Sequence, residues 1–348
     1  MQKKKIAVIF GGHSTEYEVS LQSAFSVLEN LSTEKYDIIP IGITRQGDWY
    51  RYNGNYKKIP NNTWIDDPSN LIPVTVSQNR TASGIIEFIQ GESKVTKIDA
   101  AFPVLHGKNG EDGSVQGLFE LAGIQIIGCN TLSSSVCMDK DMAHKLVSNA
   151  GISTPKSITL KQPITTDLFE LSKQLTYPLF VKPVRSGSSF GITKIYAETE
   201  LQSAVDLAFK HDDNVIIEEN IEGFEVGCAV LGNDQLTVGR VDAIELTDGF
   251  FDYTEKYTLK SSKIHMPARI DTATEKRVQE TAMIIYKTLG CSGFARVDMF
   301  LTPHSDIVFN EVNTIPGFTP HSRYPNMMKG IGLSFKEMLD KLMGLYIK

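Results

Sequence analysis

The chain is 348 residues long, 41% hydrophobic and 22% charged, with a formal net charge of −6. A chain of this size supports two or three lobes with full cores, so it needs neither disulfides nor a structural metal to fold. An acidic balance with no basic run beyond Lys3-Lys4-Lys5 argues against nucleic acid or an anionic membrane as the main partner.

Residues 5–10 predict a short buried strand of the parallel type, stopping at Gly11-Gly12. Thr15-x-x-Glu18 predicts a capping box, with Leu21, Phe25, Leu28 and Leu31 at helical spacing behind it. A second strand over Asp37–Ile43 completes the opening of a doubly wound α/β unit. Residues 45–97 are polar and rich in Asn, Thr, Ser and Lys, and predict an excursion on that first domain. Ile98–Leu105 returns to a core strand and Ser114–Ala122 to a helix. A helix over about Asp139–Ala150 precedes strands over Leu179–Pro183, Gly191–Tyr196 and Val215–Asn220 and a helix over Glu200–Phe209, a small α+β lobe. Strands near 225–231, 237–246, 293–301 and 306–312, with helices over 272–289 and from Ser334, predict a third lobe. The expected domains are 1–128, 129–221 and 222–348, with a polar, aromatic segment at 247–262.

Cys129, Cys137, Cys228 and Cys291 form no CxxC pair and read as free buried thiols of a reducing compartment. The apolar run Ile6–Phe10 is too short for a signal peptide, and no stretch suits a bilayer span; a cytoplasmic protein is expected.

The densest chemistry is Arg296-Val297-Asp298 with Asn310-Glu311-Val312-Asn313. Residues two apart on a strand share a face, so Arg296 joins Asp298, and Glu311 joins Asn313 on the next strand. Two carboxylates and an amide oxygen are hard ligands suited to Mg²⁺ that also holds phosphates, and Arg296 can stabilise developing charge. Either strand alone reads as a salt-bridged strand; the pair points to metal. Val184 to Gly191 follows a strand ending in Lys182-Pro183, and its glycines and serines suit a phosphate loop, though no Walker motif occurs. The same loop contains a formal GxSxG, which raises an α/β-hydrolase with Ser189 as nucleophile. The alternation from Gly191 to Tyr196 predicts a strand where that elbow needs a helix. A Rossmann dehydrogenase is weakly supported, because GxGxxG is absent and no acidic residue ends the second strand. His106 to Gly113 is a glycine-rich loop equally suited to a ligand edge or to a turn needing positive φ. His144, on a helix face, reads as structural.

Gly11 to Ser20, the loop from His106 to Gly117, Met138-Asp139-Lys140, Val181-Lys182-Pro183 and Asn310 to Gly317 together resemble the D-alanine–D-alanine ligase family. Their order matches the family across residues 5–335. The resemblance implies the ATP-grasp fold, in which an N-terminal doubly wound parallel sheet precedes two α+β lobes that enclose ATP. It implies Lys140, Lys182, Ser188, Ser189, Glu218, Ile221, Glu225, Lys256 and Asn310 at ATP, and Asp298, Glu311 and Asn313 at two Mg²⁺ (or Mn²⁺). It implies Glu16 at the ammonium of the first D-alanine, and Arg296 with the N–H of Gly317 at the tetrahedral intermediate. Ser189 and Tyr257 join this catalytic set, and His106, Ser322, Arg323 and Phe251 the substrate set. Segment 247–262 would be the closing ω-loop, a D-alanyl phosphate the intermediate, and a homodimer the assembly.

Two departures bear on the second substrate. Phe250-Phe251-Asp252-Tyr253 stands where the family commonly has Phe-Tyr-Asp-Tyr, and His321-Ser322-Arg323 where it has His-Ser-Leu. Favouring a hydroxylated substrate takes a polar partner, and Arg323 offers one for D-serine. In the alternative it binds the substrate carboxylate or points to solvent. The D-lactate-using branch generally lacks Tyr257, which is present here. The chain resembles the VanG-type D-alanine–D-serine ligases, so D-Ala–D-Ser is the expected product and D-Ala–D-Ala the alternative. A non-catalytic ATP-binding regulator is the different-class alternative, which has no need for Arg296, Asp298, Glu311 and Asn313 together.

Overall fold

The computed structural model describes residues 3–164, 167–187, 190–246 and 262–347. Ile6–Phe10 are fully buried and form the middle of β1 (Lys4–Gly11), as expected of a strand covered on both faces. α1 (Tyr17–Asn30) and β2 (Tyr36–Ile43) follow, β2 pairing in parallel with β1. The expected capping box does not form. Glu16 is the N-cap and makes no side-chain cap, while its N–H donates to Ser14 Oγ at 3.1 Å.

The excursion adds antiparallel strands to the same sheet: β3 (Trp49–Tyr52), β4 (Leu71–Val76), β5 (Gly84–Ile89) and β6 (Glu92–Lys97). β7 (Ala100–Pro103), α2 (Ser114–Leu121) and β8 (Gln125–Ile126) complete it in the order β6-β5-β4-β3-β2-β1-β7-β8. Its centre is parallel and its polar flank antiparallel.

α3 (Thr131–Met138) and α4 (Lys140–Asn149) lead to the second sheet. Sequence periodicity misses α3 because its serine-rich run has weak helix propensity; Asn130 caps it, and burial of Ser133, Ser134 and Cys137 holds it. β9 (Ser157–Lys161), α5 (Leu168–Ser172), β10 (Leu179–Pro183), β11 (Thr193–Ile195), α6 (Leu201–Ala208) and β12 (Asn214–Glu219) follow, with antiparallel order β11-β10-β12-β9. Strand β11, not a helix, follows Gly191, which removes the hydrolase alternative.

The third sheet comprises β13 (Phe224–Gly232), β14 (Leu236–Leu246), β15 (Ser262–His265), β16 (Phe294–Leu301) and β17 (Ile307–Asn313), with α7 (Thr272–Thr288) between β15 and β16. Its order is β15-β14-β13-β16-β17. α8 (Arg323–Lys329) and α9 (Phe335–Gly344) close the chain. α8 also escapes prediction: Pro325 sits in its first turn, where a missing N–H costs nothing. One core runs from Val8, Leu21 and Phe102 to Phe294, Phe318, Tyr324 and Met338, so the first sheet and the C-terminal helices form one floor. The four cysteines are free and buried. Among the described residues, no helix is long and apolar enough to cross a membrane.

Candidate active site

A cleft of about 640 Å³ opens between the second and third sheets. Adjacent antiparallel strands β10 and β12 place Lys182 and Glu218 on one wall, with Nζ 2.5 Å from Oε2. Burial alone would raise the Glu218 carboxyl; the neighbouring Lys182 ammonium, the largest opposing influence, holds the group below its usual range. Lys140, Ile221, Glu225 and Asn310 line the same cleft. Ser188, Ser189, Phe251, Lys256 and Tyr257, with the rest of 247–261, lie outside the described residues.

A second cavity of about 550 Å³ holds Glu16, His106, Arg296, Asp298, Asn313, Gly317, Ser322 and Arg323. Lys140, Ser186, Glu225 and Glu311 line both spaces, so the two meet at one charged wall. Antiparallel register sets Asp298 opposite Glu311 and Arg296 opposite Asn313. Arg296 Nε donates to Asp298 at 2.8 and 3.0 Å and Nη2 at 2.6 Å, while Asn313 Nδ2 donates to Asp298 Oδ2 at 2.9 Å. Lys140 Nζ donates to the Ser186 carbonyl at 2.8 Å and lies 3.9 Å from Glu311. Among the described residues, no three His, Cys, Asp or Glu converge into a closed metal cage. Asp298 accepts from Arg296 and Asn313 in this arrangement, and the hard donor types of Asp298, Glu311 and Asn313 on paired strands suit Mg²⁺ completed by phosphate and water.

Glu16 lies against two glycines. A Cβ on Gly107, whose φ is +70°, would sit 2.4 Å from Glu16 Oε2, and one on Gly187 3.0 Å from it. His106 lines the cavity, but its ring nitrogens are committed: Nδ1 donates to the Ile315 carbonyl at 2.8 Å and Nε2 meets Ser23 Oγ at 3.0 Å. Its imidazole therefore anchors the Ile315–Gly317 loop. Glu111 works beside it, accepting the N–H groups of Gly107 at 2.9 Å and Ile315 at 2.8 Å. Burial, then the charge of Glu16, pushes Glu111 up to about 8 against those two donors. Ser322 Oγ accepts the Thr319 N–H at 3.1 Å.

Arg323 departs from the picture of a long cation offered to substrate or solvent. It is buried; Nε and Nη2 donate to Asp242 at 2.8 Å each, Nη1 donates to Glu225 at 2.8 Å, and Nη2 lies 3.5 Å from Asp298. A buried guanidinium needs carboxylate partners. Burial opposes its charge, but Asp242 and Asp298 hold it well above the usual arginine value. Gly227 makes the approach possible, since a Cβ there would lie 2.3 Å from Arg323 Nη2 and 2.7 Å from Asp242 Oδ1. Sequence reasoning missed Asp242. Its signal is an inward-facing acid in the alternating strand Arg240 to Leu246, fully buried in the fold.

Two lobes around a nucleotide-sized cleft, its charged end open to a second polar cavity, are the plan of an ATP-grasp ligase. Comparison with known proteins narrows this. The family described as D-ala D-ala ligase N-terminus matches residues 5–129, and D-ala D-ala ligase C-terminus matches residues 146–344. The chain belongs to the D-alanine–D-alanine ligase family and is an ATP-dependent ligase. The vancomycin C-type resistance protein VanC1 of Enterococcus gallinarum is 45% identical over 98% of each chain. The crystal structure of the VanG D-Ala:D-Ser ligase from Enterococcus faecalis superposes with a TM-score of 0.92 at 68% identity, covering 99% of this chain and 100% of that one. The D-alanine–D-alanine ligase from Bacillus anthracis complexed with ATP gives a TM-score of 0.73 at 29% identity, covering 99% and 97%.

Proposed function

We propose that this ligase activates D-alanine with ATP as D-alanyl phosphate and joins it to D-serine, forming a dipeptide for peptidoglycan precursors. The observation that carries the reading is the wall of Lys140, Ser186, Glu225 and Glu311 common to both cavities. A γ-phosphate at that wall lies where the nucleotide cleft meets the amino-acid cavity.

A free carboxylate is a poor acyl donor, which is why activation comes first. Lys140 and Lys182 supply positive charge along the nucleotide, and Glu218 and Ile221 take the base end. Asp298, Glu311 and Asn313 would hold Mg²⁺ or Mn²⁺, which neutralises charge on the transferring phosphoryl group. Glu16 receives the ammonium of the first D-alanine. The second amine then attacks the acyl carbon, and Arg296 with the Gly317 N–H stabilises the tetrahedral oxyanion until phosphate leaves. A lid over the site would protect the acyl phosphate from water, the role we assign to segment 247–262 and Tyr257.

Two observations favour D-serine: the likeness to a structure described as a D-Ala:D-Ser ligase, and a buried arginine–carboxylate group bordering the cavity, at the position where the family resemblance implies a leucine. We infer a cytoplasmic homodimer acting on small molecules, with no nucleic acid or membrane as partner. The test supplies Mg-ATP, D-alanine and equimolar D-serine, D-alanine and D-lactate, and reads products by mass. Mostly D-Ala–D-Ser is expected. Mostly D-Ala–D-Ala would overturn the second-substrate assignment, and absence of any condensed product would overturn the ligase reading.

A further inference from the structure

His144 sits on α4 behind the nucleotide cleft and does not line either cavity described above. Its ring packs edge-on against Phe309, with centroids 5.5 Å apart. Nε2 donates to the Asn310 carbonyl at 3.0 Å, one residue before Glu311. Nδ1 faces Glu218 Oε1 at 3.6 Å, and both of these buried atoms are without a hydrogen bond. The other oxygen of Glu218 is held by Lys182.

One imidazole therefore touches the carboxylate at the base end of the cleft and the backbone of the strand that carries Glu311. β12 and β17 belong to different sheets, so this contact ties the two walls together. A buried acceptor without a donor is costly unless a ligand supplies one. Glu218 Oε1 is such an acceptor, and the amino group of adenine is such a donor.

We propose that His144 is a positioning residue for nucleotide recognition, fixing the Glu218 carboxylate relative to Asn310 so that Oε1 is presented to the exocyclic amine of the base. This rests on the reading above that Glu218 contacts the base.

Two variants separate the contacts. His144→Phe keeps the ring against Phe309 and removes both nitrogens; His144→Gln retains a donor near the Nε2 position and removes Nδ1. Dipeptide synthesis is measured with ATP and with ITP, which carries a carbonyl in place of the amine, alongside Glu218→Gln. We expect both His144 variants to raise KM for ATP about tenfold, the scale of one misplaced hydrogen bond to a charged group. The preference for ATP over ITP shrinks in parallel, while KM for D-alanine stays within about twofold. Equal rises in both KM values would reduce His144 to general packing and overturn the inference. A wild-type ATP-over-ITP ratio in His144→Gln would leave only the Asn310 contact and overturn it as well. If Glu218→Gln alone moves that ratio, His144 is overturned and the base reading stands; if none of the three moves it, both fall.

Discussion

Replacing Arg323 with methionine tests the buried charge group at the border of the second cavity. The substitution approximately conserves length and removes the cation, leaving Asp242 fully buried and Glu225 and Asp298 without their bonds to the guanidinium. Breaking a buried ion pair by removing one partner costs about 3–5 kcal/mol, because an uncompensated charge stays behind. At about 2–4 °C per kcal/mol for a domain of some 150–250 residues, Tm should fall by about 10 °C. Arg323→Met with Asp242→Leu removes both ends and should recover much of that loss, a coupling of about 2 kcal/mol. The assay is denaturant unfolding of both single variants and the double variant, alongside the D-serine to D-alanine ratio of specificity constants. That ratio should fall about tenfold in Arg323→Met, because the Glu225 and Asp298 carboxylates that line the cavity lose the guanidinium holding them in place. Strictly additive penalties would refute the pairing argument. An unchanged substrate ratio in a well-folded variant would refute Arg323's part in selection.

Glu311→Gln should reduce dipeptide synthesis by about 10²–10³-fold with unfolding unchanged, and near-normal turnover would remove Glu311 from the phosphoryl-transfer wall. Gly227→Ala forces a Cβ to 2.3 Å from Arg323 Nη2, so a loss of about 1–3 kcal/mol is expected in chemical denaturation. Wild-type stability there would mean that the Arg323–Asp242 pair moves freely. Glu111 is raised from 4.5 to about 8, so its stabilising contribution is complete below 4.5 and lost as pH rises through about 8. Glu111→Gln, permanently neutral, should lack that part of the pH dependence of stability; parallel profiles for the two proteins would contradict the assignment.

What the sequence made legible follows from where the information is local. β1, β10 and the pair β16–β17 are short apolar or alternating runs bounded by turns, and their pattern survives folding. The Arg296–Asp298 and Glu311–Asn313 faces were readable because strand periodicity alone puts them together. α3 was not readable, since its stability comes from burial and an Asn130 cap acting against the propensity of a serine run. Glu111 stood in a recognisable glycine-rich loop, but its work is to accept the N–H of Ile315, more than two hundred residues away. His144 reads as structural in the sequence for the same reason: it lies on α4, and its partners Glu218 and Asn310 come from two different sheets.

Arg323 is the most instructive of these cases. As a sequence feature it is a leucine position turned into a cation, which invites a one-residue account of specificity. A guanidinium with its surroundings this closed cannot enter the fold alone, because its desolvation exceeds what a single contact returns. It requires an acid at 242 on β14, a second acid at 225 on β13, and no side chain at 227 between them. The polar character of the second cavity is thus a property of a set placed by three elements, β13, β14 and α8. Grafting Arg323 into a relative with an apolar leucine should therefore destabilise it unless the acid at 242 and the glycine at 227 come too. A transplant of Arg323 alone that folds with full stability and takes D-serine would refute this interdependence.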